Sequence, residues 1–127
     1  MSAIYTFEDE LDTFHVYKHF DGHPTGAAEF IEKAKNKAWP LPGFDASDFA
    51  AAFIAANKDQ PGDIRMSNGN IGWEEYVYEI TSRNGNLHVV AHRVCDERTL
   101  PFILPPLYDG PQSGFAAWAE AYQKRKY

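Results

Sequence analysis

Tyr17-x-His19-x-Asp21-Gly22-x-Pro24 is the densest group of residues in this chain whose types and spacing suit chemistry. On an extended strand His19 and Asp21 point to one face, about 6.6 Å apart at Cα. That separation fits a shared metal ion, or a carboxylate that orients an imidazole. Gly22 can fold His23 back toward them, giving a His19, Asp21, His23 ligand set. A third or fourth ligand from His88 or His92 requires the two hairpins to be neighbours with matching faces. Water on such a metal would be the nucleophile of a small hydrolase. The same residues also make a plain turn. Asp-Gly breaks the strand and Pro24 opens a helix, while His19 donates to a loop carbonyl and Tyr17 packs in the core. This structural reading is the stronger one, since the turn alone accounts for every residue of the group.

Other candidates carry less. Cys95 lies beside Asp96 and Glu97, whose charges oppose thiolate formation, so an inert thiol is expected. Ser67, Ser82 and Ser113 sit in turn or cap contexts, and no Gly-x-Ser-x-Gly elbow occurs. Gly69-Asn70-Ile71-Gly72 lacks the spacing of a phosphate loop. Glu75 and Glu79 share a hairpin face with His88 and His92, which reads as a solvated surface. No cofactor is expected.

The elements that must position these residues follow from periodicity. Residues 4–7 and 14–20 read as two strands joined by about six residues, hence an antiparallel hairpin. Ala27, Phe30, Ile31, Ala34 and Ala38 recur at helical spacing after Pro24, and the prolines at 40 and 42 stop that helix. A second helix starts from Asp45 or Ser47 as N-cap and buries Phe49, Ala50, Phe53 and Ile54. Residues 63–66 suggest a short strand. Asn84-Gly85 is the favoured pair for a two-residue type I′ turn. It predicts that Arg83 faces Asn86, Ile80 faces Val89, Tyr78 faces Ala91 and Val77 faces His92. Pro101, Pro105, Pro106 and Pro111 impose an irregular stretch before a last helix capped by Ser113. The expected fold class is α+β, a mainly antiparallel sheet of two hairpins in the order ββααβββα, with helices packed on one face. Residues 1–127 form a single domain.

The Tyr17 to Pro24 group resembles a signature, Tyr-x-His-x-Asp-Gly-Tyr-Pro, of uncharacterised bacterial and bacteriophage proteins. Gly62-Asp63-Ile64 and the Tyr76-Val77-Tyr78-Glu79-Ile80 segment extend the likeness, and His23 stands where the second tyrosine is usual. The resemblance implies a phage or mobile-element setting and no particular chemistry.

Charge points to a function class. The net charge is −6, and setting aside Lys124-Arg125-Lys126 leaves a body of −9. Such a body repels phosphate backbones, which argues against direct nucleic-acid binding. No apolar run approaches the roughly 18 residues of a membrane span, and Met1-Ser2-Ala3 reads as no export leader. The lone Cys95 suits a reducing cytoplasm. The expected role is a non-enzymatic accessory module for a host or phage protein with a basic surface. Contact would run through Glu8, Asp9, Glu10 and Asp12, and a charge mimic that inhibits a nucleic-acid-binding host protein is one form such a module takes. Trp39 and residues 100–106 are the places expected to expose apolar surface.

Overall fold

The computed structural model describes residues 1–94 and 105–126. Cys95 and most of the Pro-rich segment at 100–106 lie outside the described residues. The element order is β1 (Ala3–Glu8), β2 (Thr13–Lys18), α1 (Pro24–Lys37), α2 (Ala46–Asn57), β3 (Ile64–Ser67), β4 (Tyr76–Arg83), β5 (Asn86–Arg93), β6 (Tyr108–Pro111) and α3 (Gln112–Lys126). The fold is α+β, as the periodicity predicts. The six strands form one sheet in the order β3-β2-β1-β4-β5-β6.

The two expected hairpins are the centre of that sheet. Asn84 and Gly85 both take positive φ, 54° and 78°, as a type I′ turn requires. The resulting register pairs Arg83 with Asn86, Ile80 with Val89, Tyr78 with Ala91 and Val77 with His92, as the turn predicts. The hairpins meet through β1 and β4, which run parallel. That geometry needs a long crossover, and α1, α2 and β3 provide it.

Three details differ from the sequence expectation. The first hairpin loop is four residues, 9–12, and β2 stops at Lys18 instead of reaching Phe20. Residues 108–111 form a sixth strand where an irregular stretch was expected. Its prolines hide it, yet Pro111 is tolerated because an edge strand does not need every N–H. Finally, α3 starts at Gln112 directly after β6, one residue before Ser113.

Alternation puts Ala3, Tyr5 and Phe7 of β1 on the face that receives the helices, with Val16, Tyr78, Ile80, Val89 and Ala91 beside them. Ile31 and Ala34 of α1, Phe49 and Phe53 of α2 and Phe115 of α3 close over that face. Phe53 packs on Tyr5 at 4.6 Å and on Phe7 at 5.4 Å between ring centroids. Asp45 caps α2 by accepting from the Asp48 N–H, one of the two caps expected. The second face is only partly wet. Ile4, Val77 and Val94 are buried there, with Ile71 packed on them.

Candidate functional site

The Tyr17 to Pro24 group sits where β2 hands over to α1, and the structure resolves its parts into two different jobs. The first is a joint. Asp21 takes φ 56°, the left-handed region, which turns the chain out of the strand direction. The Gly22 N–H then donates to the Met1 carbonyl at 2.8 Å, and the Gly22 carbonyl accepts from the Tyr78 hydroxyl at 2.7 Å. A Cβ on Gly22 would lie 2.6 Å from the Ser2 backbone, so only glycine fits. His23 is the helix N-cap residue without a side-chain cap, and Pro24 follows in the first turn. Because Asp21 is rotated out of the strand, the alternation that would align it with His19 is broken. Among the described residues no three His, Cys, Asp or Glu side chains converge as a metal site. His19, Asp21 and His23 are therefore not gathered on one ion.

The second job lies on the strand itself. Lys18 faces the helices and pairs with Asp63, Nζ to Oδ1 at 2.7 Å, with side chains 3% and 2% exposed. Its ammonium also sits 4.5 Å from the Phe30 ring centre. Asp63 accepts further from the Asp59 N–H, and its carbonyl accepts from the His19 N–H at 2.8 Å. Tyr17 and His19 project to the second face. Tyr17 is half-buried there instead of in the core. Its hydroxyl and His19 Nδ1 share a hydrogen bond of 2.7 Å, in place of the expected loop carbonyl. The Arg65 guanidinium covers the Tyr17 ring at 4.6 Å.

The remaining histidines pair elsewhere. His88 Nε2 lies 2.6 Å from Asp109 Oδ1, His92 Nε2 lies 2.9 Å from Glu79 Oε1, and His15 Nδ1 lies 2.8 Å from Thr6 Oγ1. All are on the second face, but β1 and β4 separate β5 from β2 by about 14 Å of sheet. His88 and His92 thus do not join His19. Each carboxylate fixes one ring nitrogen, an arrangement that orients an imidazole. Ser67 caps its own turn by accepting from the Gly69 N–H. Behind this face, burial and then the Asp21 charge push the Tyr5 hydroxyl well above its ordinary pKa, so it stays protonated.

The acidic loop is held by a set of backbone hydrogen bonds to one carboxylate. Asp9 Oδ1 accepts from the N–H groups of Leu11 and Asp12, and Oδ2 accepts from Ala46 N–H, each at 2.8 Å. Asp9 is consequently a support inside the loop, while Glu8, Glu10 and Asp12 stay exposed. Leu11 at the tip is 90% exposed. Beside it, residues 8–11, 42–45 and 81–83 line a cleft of about 710 Å³. The N–H groups of Ala46, Asp12 and Leu11 hold the Asp9 carboxyl below its ordinary pKa. Its contribution to stability is therefore present above the usual aspartate value and lost as the pH falls through the lowered one. Asp9→Asn is expected to lower the urea midpoint at pH 7, with the gap to the parent narrowing below about pH 4. An unchanged midpoint at pH 7 would show that the loop needs no such support.

Trp39 is exposed, as expected, and its backbone N–H donates to Asp48 Oδ2. Phe20, Met66 and Trp73 are exposed as well, and periodicity gave no sign of it. The missed signal is that Met66 and Trp73 flank the turn-rich residues 67–72, outside any helical stripe. No helix among the described residues is long and apolar enough to cross a membrane. Compared with known proteins, the chain matches no family model, no curated protein and no solved structure.

Proposed function

We propose that this chain is a non-enzymatic protein-interaction module whose acidic loop engages a basic face of another protein. One observation carries the reading. Asp9 spends its carboxylate on three backbone N–H groups, which fixes the loop and leaves Glu8, Glu10 and Asp12 around an exposed Leu11. A preformed array of anions loses less conformational freedom on binding than a flexible one. It also steers a basic partner through long-range attraction. An apolar tip within a ring of charge gives such a surface a contact that survives desolvation. The partner class is a protein whose basic face serves nucleic-acid phosphates, and the carboxylates stand in for those phosphates. The phage or mobile-element setting implied by the motif is one where such inhibitors are useful.

The experiment uses a tagged copy in its bacterial host, with a photo-crosslinking residue at position 11. A basic protein is expected to crosslink and co-purify, to release its nucleic acid, and to dissociate as salt rises. The triple variant Glu8→Gln, Glu10→Gln, Asp12→Asn is expected to lose it. A partner retained by the triple variant, or no partner above control, overturns the reading.

A further inference from the structure

We propose that the outer edge of β3, which no strand among the described residues pairs, is a strand-addition site for an extended segment of another protein, one that places a carboxylate opposite Arg65. This surface is separate from the acidic loop and does not depend on it.

β3 is the outermost strand beside β2, with register His15 to Ser67, Tyr17 to Arg65 and Lys18 to Ile64. The His19 N–H donates to the Asp63 carbonyl, which makes that pair a hydrogen-bonded one. Antiparallel ladders alternate, so the pairs at Arg65 and Ser67 are hydrogen-bonded too. The N–H and C=O groups of Ile64 and Met66 then point away from β2, toward an edge that no strand among the described residues pairs. Edges are commonly blunted by lysine, proline or a bulge. The Ile64-Arg65-Met66-Ser67 strand has no lysine, proline or bulge; its guards are its four-residue length and the Arg65 charge, which an acidic partner residue would satisfy.

Side chains around the edge have the composition of a binding surface. Met66 is 62% exposed, Trp73 85% and Phe20 44%. Phe20 touches His19 ring to ring, His19 bonds Tyr17, and Tyr17 carries Arg65, so these four are continuous on the second face. Tyr17, Arg65, Met66 and Trp73 line one cleft of about 440 Å³. Trp, Tyr, Met and Arg are the types enriched at the centres of protein interfaces.

Charge selects the occupant. Among the described residues no carboxylate forms a salt bridge with Arg65, whose guanidinium lies over the Tyr17 ring. A second copy added by two-fold pairing about Arg65 would set two guanidiniums directly opposite, which is unfavourable. An acidic residue at that position is favourable on the same rule. Its neighbours along the strand point to the other face, over Met66, and are best apolar.

The test selects a displayed library of random octapeptides on the parent protein and then measures the best peptide in solution. Selected sequences are expected to carry one acid flanked by apolar or β-branched residues. Binding is expected to slow amide exchange at Ile64 and Met66, with little change at Arg65, whose N–H is already bonded. Arg65→Glu is expected to weaken the peptide about tenfold or more and to restore binding when its acid is changed to lysine. The acidic-loop triple variant is expected to bind the peptide like the parent, which separates failure here from failure of that reading. The inference is overturned if no peptide is selected, if binders leave Ile64 and Met66 exchanging freely, or if sedimentation shows this edge closed by a second copy.

Discussion

Replacing Lys18 by methionine is expected to lower folding stability by about 3–5 kcal/mol, the range for leaving one member of a buried ion pair without its counter-charge. Methionine is one heavy atom shorter and still fills the space of the apolar stem, so packing changes little, although the ammonium contact with the Phe30 ring is lost as well. What is lost is the cation 2.7 Å from Asp63 in a site where both groups are almost fully shielded from water. The pH dependence identifies the cause. Burial pushes the Asp63 carboxyl up. The Lys18 hydrogen bond, the Asp59 N–H and the charges of Lys18 and His19 together outweigh it, and the carboxyl is held below its ordinary value. In the parent, the pair's contribution is thus complete above the unfolded value near pH 4 and lost as the pH falls through the lowered one. In Lys18→Met the burial remains and its main counterweight is gone, so the carboxyl rises. The native state then binds a proton more readily than the unfolded chain. The deficit should be largest at pH 7 and shrink toward pH 4 in urea titrations. A deficit that is flat with pH would mean that packing, not charge, was lost. Lys18→Met combined with Asp63→Leu should recover much of the loss, because an apolar pair of similar volume needs no counter-ion.

Gly26→Ala is the second large effect, expected to destabilise by about 1–3 kcal/mol. On propensity alone the substitution should help, since alanine is better than glycine in a helix by about 1 kcal/mol. Here the added Cβ would overlap the Asp21 carbonyl oxygen. That oxygen cannot retreat easily. Asp21 is already in the left-handed region, and Gly22 beyond it is tied to Met1 and Tyr78. The steric term therefore exceeds the propensity gain. Thermal or urea unfolding reads it directly, and a more stable Gly26→Ala protein would show that the joint is free to move. The two variants together test the structural role of the residues around this motif. Lys18 and Gly26 hold the strand-to-helix handover in place, whereas His19→Ala, at an exposed site, should leave stability nearly unchanged.

The functional residues divide by how far apart their partners lie in the chain. The acidic loop was legible from composition, and its shape was half legible. Asp9 bonding to Leu11 and Asp12 is local turn chemistry, but its bond to Ala46 crosses to another element. The histidines were visible as residues but only partly as pairs. His92 and Glu79 share a face of the hairpin that the Asn84-Gly85 turn sets, whereas His88 meets Asp109 only because β6 flanks β5. The proposed edge site was not legible at all, since an outermost strand looks the same in sequence as an inner one.

By itself the sequence determined what near neighbours decide. The Asn84-Gly85 turn sets the hairpin register because two residues with positive φ fix how the flanking strands meet. Apolar spacing sets the helices and the faces they bury, and Asp45 or Ser47 marks where α2 begins. Tertiary structure alone decided the strand order, the parallel meeting of β1 and β4, the sixth strand, the burial of Lys18 against Asp63, and the exposure of Met66 and Trp73. The reason is physical. Dihedral preferences and side-chain periodicity act over a few residues, whereas strand neighbours, buried charges and open edges depend on which distant surfaces the packed core brings together.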